Sequence, residues 1–136
     1  MTWIEPKTDW TNWSSSNEVY FNLDPDYARI KNNVLYIQEF SEKLNKHFDV
    51  HLEDYTIDDF PYEDFFNNIV ESVRTIEENT YLLDYETMRD YVENGKVWNA
   101  SDLNAIERNL QKVYNLLNGE YNSLMKLSFM LGVDEI

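Results

Sequence analysis

The chain contains no cysteine and has little glycine, proline or basic charge. Without cysteine it can form no disulfide, thiolate nucleophile or cysteine-ligated metal site. Three glycines and three prolines are too few for the many tight turns of a β-sandwich or barrel, so helices are the expectation. Long apolar runs are also missing: the stretch 34–37 is only a few residues, whereas a membrane span needs roughly 20. The first ten residues lack the basic start and apolar core of a secretory signal.

Charge is strongly one-sided. Among 136 residues, 11 Lys and Arg face 26 Asp and Glu, which gives a formal net charge of −15. A protein that grips nucleic-acid phosphates or anionic lipid headgroups needs a basic surface, so the balance argues against both partners. An apolar fraction of 43% with 15% aromatic residues is nevertheless too high for a disordered chain. We therefore expect a folded, acidic domain with a core, and no membrane.

The chain divides into an aromatic N-terminal arm over residues 1–23, a helical domain over 24–118 and an apolar C-terminal tail over 119–136. The arm carries three tryptophans among Thr, Ser and Asn, with no helical period. Two interpretations are open, because such aromatics are costly to leave in water. The arm either folds back on its own domain or inserts into a neighbouring subunit.

The apolar spacing predicts a mainly α fold with three amphipathic helices. The first should begin at Asp24-Pro25, where an N-cap precedes a proline at the first helical position, and run over 25–46. Pro61 should begin the second helix, which fades near residue 79. The third begins at 99–101, and Gly119 either ends it or bends it before the tail.

The region between the second and third helices admits two structures. Asn94-Gly95 lies between two short apolar pairs, a pattern typical of a small type I′ β-hairpin near 90–98. The alternative is a short helix over 84–92, which Gly95 would end as a C-cap.

The three helices also share an internal repeat. Segments 26–34, 61–69 and 102–110 align with offsets of 35 and 41 residues, and such a recurrence is typical of one supersecondary unit used several times. Apolar residues recur at relative positions 1, 4 and 8, and asparagine recurs at position 7. The predicted repeat core is therefore Tyr27, Ile30, Asn33 and Val34 in the first unit, Phe65, Asn68 and Ile69 in the second, and Leu103, Ile106, Asn109 and Leu110 in the third.

The repeated asparagine needs a reason, because asparagine is a poor helix former. It lies beside the apolar stripe, where its amide can hydrogen-bond a neighbouring main chain and join two repeats. A ligand-binding amide is the alternative, although buried amides mostly satisfy backbone groups.

Four segments of the chain, 2–10, 26–33, 102–109 and 126–132, follow the patterns T-W-x-x-P-K-T-x-W, D-[YL]-N-R-I-x-x-N (twice) and K-L-x-F-x-L-G. Ala28 stands in place of the repeat pattern's Asn, and Ala105 in place of its Arg. In this order of motifs, with the repeats on helices, the sequence resembles small virion structural proteins of tailed phages that infect Gram-positive bacteria. The middle repeat departs further from the pattern.

The resemblance implies a non-enzymatic protein of the tail or host-adsorption apparatus. It implies a homo-oligomer with other virion structural proteins as partners, located in the virion after assembly in the host cytoplasm. Exposed-looking apolar material at both ends of a charged middle agrees with docking by the arm and the tail. The predicted interface residues are Trp3, Trp10, Trp13, Tyr20, Phe21, Leu127, Phe129 and Leu131.

Other chemistry has little support in the sequence. His47 and His51 are four residues apart, a spacing that can bind zinc when both lie on a helix. Their segment has the composition of a connector between helices, so we expect two isolated surface histidines. The acidic run over 49–64 has no EF-hand spacing and reads as a solvated face, with a weak divalent site between subunits as the alternative. We find no catalytic motif and predict no catalytic, cofactor or metal site.

The high negative charge suggests a second function, an acidic decoy that imitates DNA and blocks a nucleic-acid-binding enzyme. The acids are concentrated in the connectors and mixed with Lys and Arg on the helices, and this distribution favours the assembly function. Net negative charge also keeps an unassembled protein dissolved.

Overall fold

A computed structural model describes residues 1–55, 62–89 and 99–132, with the backbone alone for 62–64. A π-helical turn at Leu23–Tyr27 leads into helix α1 at Ala28–Glu42. Helix α2 follows at Tyr62–Asn79 and helix α3 at Ala100–Met130. The predicted mainly α fold is confirmed, since these ranges hold three α-helices and no strand apart from an isolated bridge between Ser14 and Asn17.

Helix α1 is shorter than the predicted 25–46. Asp24 has an extended backbone (φ −129°, ψ 118°), so the regular α-helix begins only after the π-helical turn. The turn is held by Asp26, whose carboxylate accepts a hydrogen bond from the Asn22 N–H at 2.9 Å. The helix ends before Asn45, which adopts a left-handed φ of 57°, a conformation that asparagine tolerates at helix ends.

Helix α3 begins where the sequence predicts and extends well beyond Gly119. Asn99 caps it: its side chain accepts hydrogen bonds from the N–H groups of Ser101 and Asp102, while the Asp102 carboxylate accepts one from the Asn99 N–H. Gly119 neither ends the helix nor forms a domain boundary, because α3 continues to Met130. Most of the predicted tail over 119–136 is therefore the last part of α3.

Each of the three helices packs against the other two around one hydrophobic core. Ile30, Phe65 and Ile106, the residues at repeat position 4, are all fully buried in that core. The apolar residues at positions 1 and 8 that the structure describes are buried as well: Tyr27, Val34, Ile69, Leu103 and Leu110. The described apolar positions of the repeat therefore lie on buried faces of the three helices.

Two connecting segments run over the helices with almost no regular secondary structure. Residues 1–22 cross α1 and α3, and residues 80–89 lie along α3 without helical structure. The predicted hairpin near 90–98 lies outside the described residues, and the described part of the alternative helix over 84–92 is not helical. Within the described ranges, no helix combines the length and the apolar character that a membrane span requires.

Candidate functional site

The repeated asparagines of α1 and α3 bind the main chain of an extended segment. Asn33 Oδ1 accepts the Ile4 N–H at 3.0 Å, and Asn33 Nδ2 donates to the Ile4 carbonyl at 2.8 Å. Asn109 does the same to Glu86, at 3.0 and 2.9 Å. We call this arrangement, in which one amide satisfies both main-chain groups of one residue, an amide clamp. Both clamp asparagines are fully buried.

Asn104 forms a third amide clamp that the sequence analysis missed. Its Oδ1 accepts the Trp10 N–H at 2.9 Å, and its Nδ2 donates to the Trp10 carbonyl at 3.2 Å. The position was visible in the sequence as the Asn of the family pattern, which the third repeat keeps and the first replaces by Ala28. With Asn33 and Asn104 together, the N-terminal arm is held at two points.

Asn68, the equivalent residue of α2, holds no main chain among the described residues. Its Nδ2 donates to the Tyr55 hydroxyl at 3.1 Å, and the residue is only half-buried. The repeat therefore places three equivalent amides on three helices, of which two act as clamps.

A buried ion network lies between the arm, α1 and α3. Arg29 donates to both carboxylate oxygens of Glu107, at 2.7 and 2.9 Å, and to Asp26 at 3.2 Å. The Lys7 N–H also donates to Glu107, at 3.1 Å, so the network reaches the arm. Burial lowers the pKa of Arg29, but the hydrogen bonds and charges of Glu107 and Asp26 outweigh it and shift the pKa upward. The guanidinium therefore stays charged in a protected position.

The sequence carried a signal for Glu107 that the analysis did not use. Glu107 lies four residues after Leu103 and three before Leu110, which places a carboxylate within the apolar stripe of α3. A charge in that position requires a partner, and the first repeat unit offers two cations, Arg29 and Lys31, of which the structure uses Arg29.

Three of the predicted interface residues pack within their own chain. The Trp3 ring stacks on Tyr114 with centroids 4.2 Å apart and planes 4° apart. Trp10 is buried, and Phe21 packs between Trp10 and Phe65, with centroid distances of 5.9 and 6.1 Å. The structure thus corrects the expectation for Trp3, Trp10 and Phe21: these rings attach the arm to the helices and are not a free docking surface.

The other predicted interface residues are exposed and fall into two groups. Trp13 and Tyr20 lie near the outer end of the arm, with 54% and 61% of their surface exposed. The larger group is at the C-terminal end of α3, and we call it the α3 tip: Met125, Leu127, Phe129, Met130 and Leu131. Phe129 is 86% exposed, and Lys126 is the one charged residue between 121 and 132.

The histidines and the acidic run form no metal centre in the described part of the chain. His47 and His51 are both exposed and lie outside any helix, and His51 Nε2 is 3.6 Å from a Glu53 carboxylate oxygen. No group of three or more potential metal ligands occurs among the described residues. Asp58 and Asp59 of the acidic run lie outside them.

Comparisons with protein-family models, with curated proteins and with solved structures give no match for this chain.

Proposed function

We propose that this chain is a non-enzymatic structural protein of a phage virion. It acts as a homo-oligomeric adaptor that docks in the tail or adsorption apparatus, among other virion proteins. The α3 tip is its principal docking surface, and Trp13 and Tyr20 of the arm form a second contact. The family resemblance of the sequence supports the virion setting, and the geometry supports the docking role.

The observation that carries the proposal is the apolar α3 tip. Leu127, Phe129, Met130 and Leu131 are 50%, 86%, 72% and 69% exposed, and they follow one another at the end of a helix. Contiguous exposed apolar groups mark interaction sites, since each such side chain gains about 1.5–3 kcal/mol when it is fully buried. Docking of this helix end on another polypeptide would supply that burial.

The arm supports the adaptor role in a different way from that expected. Amide clamps at Ile4 and Trp10 attach it to α1 and α3, so it stiffens the body instead of reaching freely outward. Its exposed aromatics, Trp13 and Tyr20, are therefore held at a defined place on the surface. A docking residue on a rigid support loses less entropy on binding.

Incorporation into particles tests the proposal. The double variant Phe129→Ser and Leu131→Ser is introduced into the phage that encodes the chain, and purified particles are quantified by mass spectrometry. Leu82→Ser is the matched control, because Leu82 is 90% exposed but belongs to the connector before α3 and not to the tip. We expect the wild type and the control to be present at a fixed copy number, and the double variant to be lost from the particles.

Two outcomes would contradict the proposal. The first is that purified particles lack the wild-type chain. The second is that the isolated protein is a monomer that inhibits a nuclease or polymerase in a salt-sensitive way, as an acidic decoy would. The structure gives the decoy function no particular support, since Asp26 and Glu107 form ion pairs with Arg29, and Asp102 forms one with Arg89.

A further inference from the structure

In the described part of the chain, Asn68 does not hold a main-chain segment as Asn33 and Asn109 do. Asn33 and Asn109 are fully buried because an extended segment covers each of them. Asn68 occupies the same repeat position on α2 and is half-buried, and its Oδ1 accepts no hydrogen bond among the described residues. The burial of Asn68 therefore differs from that of Asn33 and Asn109 because a different part of the chain lies over its side chain.

A cleft lies beside Asn68, between α2 and the connector that follows α1. Its volume is about 280 Å³, and one wall consists of residues 49–51 while the other carries Asn68, Glu71 and Ser72. The Val50 N–H on the connector wall donates to Gln38 of α1 at 3.3 Å, so this main-chain donor is already in use.

Ser72 lines the same cleft, and only 4% of its surface is exposed. Its hydroxyl is a second polar group on the α2 wall, beside the half-buried Asn68. Together, Ser72 and Asn68 offer a donor and acceptors suited to a peptide group.

We propose that this cleft is an open amide clamp that binds an extended, basic polypeptide segment of a different protein. Asn68 would bind the N–H and C=O of one residue of that segment, as Asn33 and Asn109 do within the chain. Asp49 and Glu71 stand on opposite walls, and their carboxylates favour Lys or Arg side chains next to the bound residue.

Charge argues against a second copy of this chain as the occupant. The chain carries a net charge of −15, and the segments that its own clamps hold are acidic: Glu5 follows Ile4, and Glu86 is itself a clamped residue. Such segments would bring carboxylates against Asp49 and Glu71. A basic partner removes this repulsion.

The test uses the full ¹⁵N-labelled chain and a blocked peptide of alternating lysine and serine. We expect the side-chain NH₂ resonances of Asn68 to shift saturably, while those of Asn33 and Asn109 stay in place. The same peptide with every main-chain nitrogen methylated keeps its charge but lacks main-chain N–H donors, so it should bind at least about tenfold more weakly. A peptide with glutamate in place of lysine should not bind.

Asn68→Ala should weaken the lysine peptide by about tenfold or more, while Asn115→Ala, a surface asparagine of α3, should not change its affinity. Unperturbed spectra elsewhere show that the variants are folded. Equal binding of the N-methylated peptide, unchanged binding by Asn68→Ala or an unmoved Asn68 resonance would each overturn the proposal. So would a shift that appears with rising protein concentration alone, since the occupant would then be a second copy. Phe129→Ser should bind the peptide normally, which separates this cleft from the α3 tip.

Discussion

Removing one amide clamp should destabilise the fold, and Asn109→Ala is the most informative change. Asn109 is fully buried and makes two hydrogen bonds to Glu86, at 3.0 and 2.9 Å. Alanine leaves the Glu86 N–H and C=O without partners and removes the packing of the amide. Two hydrogen bonds of about 1 kcal/mol each, plus the space left behind, predict a loss of ~2–4 kcal/mol in the free energy of unfolding.

Urea unfolding followed by circular dichroism measures this loss directly. For a domain of this size, such a loss corresponds to a fall in Tm of roughly 10 °C. Asn115→Ala is the matched control: Asn115 is an exposed residue of the same helix that accepts a hydrogen bond only from Gln111, at 2.8 Å. We expect its effect to stay within about 0.5 kcal/mol.

The reasoning would be refuted if Asn109→Ala and Asn115→Ala had the same stability. That result would mean that water replaces the amide at no cost, and that the other contacts of segment 80–89, such as those of Met88 and Arg89, hold it in place. A change in the denaturant slope would instead point to a segment released from an otherwise folded chain.

Three further predictions concern buried groups. Glu107→Gln should lower the free energy of unfolding in urea by ~3 kcal/mol, because Arg29 keeps its charge but loses its principal carboxylate partner. A loss no larger than that of a surface substitution would contradict a stabilising role of the ion network. Burial raises the pKa of Glu77 to about 7, and its Oε2 lacks a hydrogen-bond partner, so its ionisation opposes folding. The pKa of Glu77 is higher in the folded than in the unfolded chain, so its protonation favours folding below about pH 4.5, and this contribution is lost as the pH rises through 7. Glu77→Gln should therefore raise Tm at pH 8 and leave it almost unchanged at pH 4.5. A larger rise in Tm at pH 4.5 than at pH 8 would refute this prediction. Ile106→Ala should cost about 2–5 kcal/mol, because Ile106 is fully buried in the shared core, and an unchanged Tm would contradict a single core.

The helices and their core faces could be predicted from the sequence because both leave a periodic trace. Apolar residues three and four positions apart put Ile30 and Ile106 on buried faces, and Pro61 precedes a helix that begins at Tyr62. The sequence left open whether Gly119 ends or bends α3, and the helix continues past it to Met130. Tyr121 and Leu124 pack against the core, so the apolar stripe extends beyond that glycine.

The paths of the connectors could not be predicted, because a bond from a side chain to a distant main chain has no period. Asn33 and Ile4 are 29 residues apart, and Asn104 and Trp10 are 94 apart. The repeated asparagine showed that an amide was needed, and the alternative in which it bonds a neighbouring backbone describes Asn33 and Asn109. The identity of the bonded segment depends on tertiary structure alone.

Site-specific photo-cross-linking at position 129 tests the docking role of the α3 tip most directly. A benzophenone amino acid replaces Phe129, which is 86% exposed, or Leu82, which is 90% exposed and belongs to the connector before α3. After irradiation of assembled particles, we predict cross-links from position 129 to a second polypeptide and none from position 82. An unlinked chain at position 129 would contradict the account, and so would equal cross-linking at the two positions.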